Sequence, residues 1–184
     1  MKTLNELLTL EENQALDFSD LSVILGGRVS NLKIKLSDLE EFGSSYTMKD
    51  IIPPGYNAGL CLLTAHIRHD VLRHWVTFLK HKNGSVSFYD PLALGAAKLS
   101  SYMHDRGYFS RFVRENRCDQ NTKIHQASSS LIKTCGLHAC SRMIFHAMYD
   151  GNNRAYHHYI TSVPMKPDRT VTLLCFVGHL SVTK

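Results

Sequence analysis

The chain has 184 residues, 43% of them hydrophobic, which suits one domain with a real core. No apolar run approaches the roughly 20 residues of a membrane-spanning helix. The N-terminus also lacks the basic-then-apolar pattern of a secretory signal. Neither a membrane protein nor an exported one is therefore expected, and the five cysteines need not pair.

The net charge of +5 is uneven: residues 1–50 sum to −4 and residues 51–184 to +9. A basic body suits a polyanionic partner and, equally, a solvated surface.

In chain order, residues 2–16 space Leu4, Leu7, Leu8 and Leu10 among polar residues, as an amphipathic helix or partly ordered arm does. Val23 to Leu25 and Val29 to Ile34 flank Gly26-Gly27 and read as short strands around a glycine turn. Ser37 to Phe42 reads as a capped helical turn, and Pro53 to Asn57 as a loop.

Arg73 to Leu79 is rich in aromatic and β-branched residues and Ser85 to Tyr89 alternates, with Asn83-Gly84 between them. This is the strongest hairpin signal in the chain. His74 lies near the start of one strand and Asp90-Pro91 ends its partner, so an antiparallel pairing brings His74 and Asp90 together.

Leu94 to Met103 reads as a helix. Arg106 to Arg117 spaces Arg111, Arg114 and Arg117 by three, which lines one helical face. Residues 118–134 read as a loop apart from Leu131-Ile132. Tyr156 to Ile160 is a further short element, Pro164 and Pro167 mark a loop, and Thr170 to Val177 reads as a buried strand.

Between them, Cys135 opens a helix running to Tyr149. A thiol at a helix N-terminus meets unpaired N–H groups and the positive end of the macrodipole, and both favour thiolate. Taken alone, the segment favours a buried structural cysteine over a nucleophile, because free cysteine is usually buried.

Cysteine catalysis needs a thiolate, a base, a group that orients the base and donors for an oxyanion. Cys135, His74, Asp90 and Gln126 supply a candidate for each, with the Cys135 backbone N–H as second oxyanion donor. Trp75 could shield the His74–Asp90 contact from water. Singly, each has an ordinary reading: strand histidine, turn aspartate, loop glutamine. Their order and combination shift the balance towards a nucleophilic Cys135.

His74-Trp75, Asp90-Pro91, Gln126 and Cys135-Gly136 resemble the adenovirus-type cysteine endopeptidases (adenain) and, more loosely, the SUMO-deconjugating proteases. The resemblance spans roughly residues 55–150, and residues 1–50 align with nothing in it. It implies an α+β, papain-like fold with the Cys-bearing helix packed on a mixed β-sheet. The whole chain, 1–184, would be one protease domain, with 1–50 as an extension or a divergent part.

The adenoviral enzymes carry Glu where this chain has Asp90, whereas the SUMO proteases carry Asp. The segment from Gln126 to Cys135 is about two residues longer than in the adenoviral enzymes, which leaves Gln120 as a weaker oxyanion candidate.

By the same resemblance, Cys118 corresponds to a cysteine that can bond an activating peptide. Arg106, Arg111, Arg114, Arg117 and Lys123 correspond to basic surface that holds DNA as a cofactor. An idle cysteine and a solvated basic face are the plain alternatives. Ile24-Leu25-Gly26-Gly27-Arg28 is similar to the family's cleavage preference, although a glycine turn explains it more simply.

No metal or small-molecule cofactor is expected. On a helix Cys135 and Cys140 lie roughly 140° apart, and His138 and Cys140 roughly 160°, so these residues and His146 cannot share one ion.

The resemblance thus implies a monomeric, non-secreted protease of virion or host nucleus that cleaves viral precursors after small residues such as Gly. A ubiquitin-like deconjugating protease of the same fold is the first alternative. A non-catalytic, DNA-binding or capsid-associated protein is the second.

Overall fold

A five-stranded mixed sheet organises the computed structural model, which describes residues 2–67, 69–129 and 133–182. The strands are β1 (Ile34–Leu39), β2 (Ala58–Ile67), β3 (Asp70–Lys80), β4 (Val86–Tyr89) and β5 (Asp119–Gln120). They lie side by side in chain order. β2, β3 and β4 form an antiparallel meander, while β1 and β5 add at the two edges in parallel.

The helices are α1 (Leu4–Glu12), α2 (Phe18–Leu25), α3 (Met48–Ile51), α4 (Ala96–Met103), α5 (Tyr108–Glu115), α6 (Cys135–Tyr149), α7 (Asn153–Thr161) and α8 (Pro167–Val182). The fold is α+β.

Strand alternation sorts the core into two layers. Ala58, Leu60, Trp75, Leu79 and Tyr89 face α2, α6, α7 and α8. Cys61, Leu63, Val76, Phe78 and Phe88 face α3, α4 and α5. A sheet covered on both faces explains why β3 and β4 read as nearly continuous apolar runs.

Gly59 allows the closest approach: a Cβ there would lie 2.8 Å from the Ile51 carbonyl oxygen. Between β3 and β4, Gly84 takes φ +85°, as the Asn-Gly turn requires. The Asn83 side chain accepts from Ser85 N–H at 3.0 Å and from its hydroxyl at 2.7 Å.

α6 is the central helix, with every residue from Gly136 to His146 buried. It packs along β3. From Cys135 to Asp150 the helix advances about 22 Å, and from His74 to His81 the strand advances about 23 Å. The two elements therefore match end to end.

Several local expectations are corrected. Val23 to Leu25 is not a strand but the end of α2, capped at Asp17 with Asp20 reaching back. Gly26–Val29 is a turn of 3-10 helix, not a hairpin turn or an extended cleavage site, and Arg28 is tied to the Leu174 carbonyl at 3.1 Å. Ser37 to Leu39 lies in β1, not in a helical turn.

Thr170 to Val177 is helical, within α8. Its Thr and Val residues suggest a strand in isolation, but Thr170, Val171, Thr172 and Cys175 are buried, and packing overrides the propensity. Leu131-Ile132 lies outside the described residues. Residues 2–50 contribute an integral strand, β1. In the same segment α1 packs on α8, and α2 packs on α6 and α8.

Candidate active site

The β3–β4 pairing ends at Thr77 opposite Tyr89. One step further would set Val76 opposite Asp90, so His74 is the diagonal neighbour of Asp90 rather than its direct partner. The side chains close the offset: His74 Nε2 lies 2.7 Å from Asp90 Oδ1, and both residues are buried.

The chain turns at Pro91 around the Asp90 carboxylate. Its oxygens accept Leu92 N–H at 2.9 Å and Leu94 N–H at 2.8 Å. The Asn121 amide clamps the Asp90 main chain, accepting its N–H at 2.9 Å and donating to its carbonyl at 2.7 Å. Asp90 cannot swing away from the imidazole without breaking this set.

With Nε2 on Asp90, Nδ1 is the ring nitrogen left for Cys135. The Cys135 sulfur and the His74 ring each shift the other's ionisation. Burial pushes this thiol up. The imidazole beside it and the Trp75 and Gly136 backbone N–H groups outweigh burial and hold it below the ordinary thiol range.

Burial likewise lowers His74, but Asp90 and the Cys135 sulfur overcome it and carry the imidazole up to about 10. Burial raises Asp90 too, and the His74, Leu92 and Leu94 contacts hold it below the usual carboxylate range.

β4 ends at Tyr89, so among the described residues the edge of β3 beside His74 and Trp75 has no strand partner on that side. The Trp75 N–H is therefore available to the sulfur. Trp75 itself points into the core, donating to the Leu16 carbonyl at 3.1 Å with Phe18 edge-on at 4.7 Å. It braces the N-terminal segment and does not cover the His74–Asp90 contact as expected. A Cβ on Gly136 would sit 3.1 Å from Leu21 Cδ2 and 3.3 Å from Trp75 Cδ1. This glycine keeps the helix start close to the strand.

Gln126 is buried against the same turn, its backbone N–H donating to the Pro91 carbonyl at 3.0 Å. Gln120, the alternative, lies in β5, where its side chain accepts from Ala96 N–H at 3.1 Å. That contact commits Gln120 to α4.

Asp168, in the first turn of α8, went unnoticed in the sequence and ties the segment after Gln126 to α6. Its Oδ2 accepts Ala127 N–H at 2.9 Å. Its Oδ1 accepts from the Thr134 hydroxyl and from His138 Nε2, the latter at 3.1 Å. One carboxylate thus fixes the residue after Gln126 and the residue before Cys135. Thr134 does not cap α6 with its own side chain. Burial raises Asp168, and the His138, Thr134 and Ala127 hydrogen bonds bring it below the carboxylate range.

The other candidates lie apart. Cys118 is buried, and burial followed by Asp119 pushes its thiol up to about 12. Arg111 and Arg114 are exposed on α5, but Arg117 falls beyond the helix in a left-handed turn with φ +49°. The three arginines do not share one helical face. Cys135, His138, Cys140 and His146 point to different partners. Two surface clefts of about 440 Å³, one lined by Lys35, Asp38 and Asp50 and the other by Lys2, Asn5 and Arg169, contain none of the candidate residues.

Compared with models of known protein families the chain matches none, and no curated protein matches it.

Proposed function

We propose that this chain is a cysteine endopeptidase of the papain-like, adenain-like plan, with Cys135, His74, Asp90 and Gln126 as its working residues. What supports the reading is the buried His74–Asp90 pair together with the lowered Cys135 thiol. The carboxylate lies 2.7 Å from one ring nitrogen, and the same ring holds the thiol low. A structural cysteine needs neither, and Cys61, Cys118, Cys140 and Cys175 are all raised instead.

The Cys135 thiolate attacks the scissile carbonyl. The oxyanion that forms takes hydrogen bonds from the Cys135 backbone N–H and the Gln126 side chain. The His74 imidazolium gives its proton to the leaving amine, then removes one from the water that releases the acyl-enzyme. Asp90 holds the ring orientation and stabilises the imidazolium throughout.

Following the resemblance, the substrates are precursor proteins cut after a small residue such as Gly during virion maturation. The exposed Arg111 and Arg114 suit a nucleic-acid cofactor.

The test is hydrolysis of a fluorogenic Gly-Gly peptide panel, with viral-precursor and ubiquitin-like sequences side by side. Turnover that disappears in Cys135→Ala and in His74→Ala supports the reading. Turnover that survives Cys135→Ala refutes it.

A further inference from the structure

At the opposite end of α6 and β3 from Cys135 and His74, three further side chains converge. His81 follows β3, His146 lies in the last turn of α6, and Asp150 caps that helix in a left-handed conformation with φ +50°. The ligand atoms they offer all lie within 4.8 Å of one another. His81 Nδ1 is 3.1 Å, and His146 Nδ1 is 3.6 Å, from Asp150 Oδ1. Both imidazoles are buried.

The hydrogen bonds around these rings limit where their protons sit. His146 Nε2 lies 3.2 Å from the Lys80 carbonyl, which can only accept, so Nε2 carries the hydrogen and Nδ1 keeps a lone pair. His81 Nε2 lies 2.7 Å from Ser87 Oγ, which also lies 3.3 Å from the Asp119 carboxylate. With the hydroxyl proton on Asp119, His81 Nε2 donates and Nδ1 has a lone pair for a ligand; with it on His81, Nδ1 donates to Asp150 instead.

Each Nδ1 faces a carboxylate oxygen. Among the described residues His146 Nδ1 has no hydrogen-bond partner, although the residue is only 4% exposed. His81 Nδ1 faces the Asp150 carbonyl as well as its carboxylate, both at 3.1 Å. The buried His146 lone pair facing the Asp150 carboxylate is an arrangement that a cation between them would relieve.

We propose that His81, His146 and Asp150 form a binding site for a divalent transition-metal ion of the zinc type, with a fourth position left to water. Tetrahedral ligands about 2.0–2.1 Å from zinc stand about 3.3 Å apart, and the two measured separations bracket that spacing. Two nitrogens and one carboxylate oxygen form a donor set that zinc accepts. The outer contacts also suit a metal site: the far nitrogen of each histidine is held by an oxygen, the Lys80 carbonyl for His146 and the Ser87 hydroxyl for His81. Asp150 Oδ2 accepts Lys82 N–H at 3.1 Å, which holds the carboxylate. The ion would pin the C-terminal end of α6 to the β3–β4 hairpin, remote from the candidate active site and independent of whether that site is catalytic.

The test uses Zn²⁺ and Co²⁺ with the chelator-treated full chain carrying Cys135→Ser, which removes the reactive thiol as a competing ligand. Stoichiometric Zn²⁺ binding is expected, with a raised melting temperature. Bound Co²⁺ should show four-coordinate d–d bands without thiolate charge transfer. His146→Asn and Asp150→Asn, added singly, should weaken binding by more than about tenfold, a loss expected even of an outer-shell partner. Asp150→Asn tolerates the left-handed backbone and keeps an acceptor for Lys82, so it decides the matter where His146→Asn fails to fold. Absent binding, binding indifferent to Asp150→Asn, or a cobalt spectrum with thiolate charge transfer would each overturn the proposal.

Discussion

His74 and Asp90 are bonded at 2.7 Å although they are not directly opposite in the β3–β4 hairpin. The diagonal offset lets Asp90 use its other contacts to build the Pro91 turn while still gripping the ring. Asp90→Asn should therefore weaken both activity and fold. By analogy with a triad aspartate replaced by asparagine, kcat should fall about 10²–10⁴-fold. Leaving Leu92 and Leu94 N–H with a poorer acceptor should cost about 1–3 kcal/mol. Steady-state kinetics and denaturant melts measure the two effects separately.

The ionisation of the pair sets a pH window. Cys135 is lowered, so kcat/KM should rise as pH climbs through a value below the ordinary thiol range. His74 is raised to about 10, so activity should fall as its proton is lost there. Stability carries the same sign for His74: its contribution is complete below the unfolded histidine value and is lost as pH rises through about 10. A kcat/KM profile that drops already near neutral pH would contradict the ion pair.

Asp168 is a positioning residue, acting through Ala127, Thr134 and His138. Asp168→Asn keeps the shape but loses an acceptor, so kcat should fall by about tenfold or more as the segment after Gln126 loosens. The alkylation rate of Cys135 should hardly change, because His74 and not Asp168 sets its thiolate. Parallel loss of both readouts would mean that Asp168 serves the fold alone.

Gly59→Ala tests the packing of α3 on β2. The new Cβ would meet backbone at 2.8 Å, which a side-chain rotation cannot relieve. The expected loss is about 3 kcal/mol, at the upper end of overpacking costs, and a thermal melt reads it.

The hairpin and α6 were legible in the sequence because their signals are local. Asn83-Gly84 dictates the turn, and the apolar spacing from Leu137 to Met148 dictates the helix. The two ends of the chain were not legible. Thr170 to Val177 is rich in strand formers, yet its burial against α6 and α1 makes it helical. Gly26-Gly27 imitated a hairpin turn, although Asp17 and Asp20 held the capping signal of α2. At the candidate site, the His74–Asp90 contact was legible from the hairpin. Asp168 was not, since its three hydrogen-bond partners lie 30 to 41 residues away in sequence. His81, His146 and Asp150 were scattered in the same way among eleven histidines and sixteen acids.

The most direct test of the central claim is the pH dependence of Cys135 alkylation, followed by mass spectrometry in wild type and in His74→Ala. Cys61, Cys118 and Cys175 sit at about 12, and Cys140 well above the ordinary thiol value, so labelling at neutral pH should fall on Cys135 alone. In wild type its titration midpoint should lie below that of an ordinary thiol. In His74→Ala the midpoint should move above it, because burial then acts without the imidazole to oppose it. A midpoint unchanged by His74→Ala would contradict the account, since the Cys135 thiolate would then owe nothing to His74.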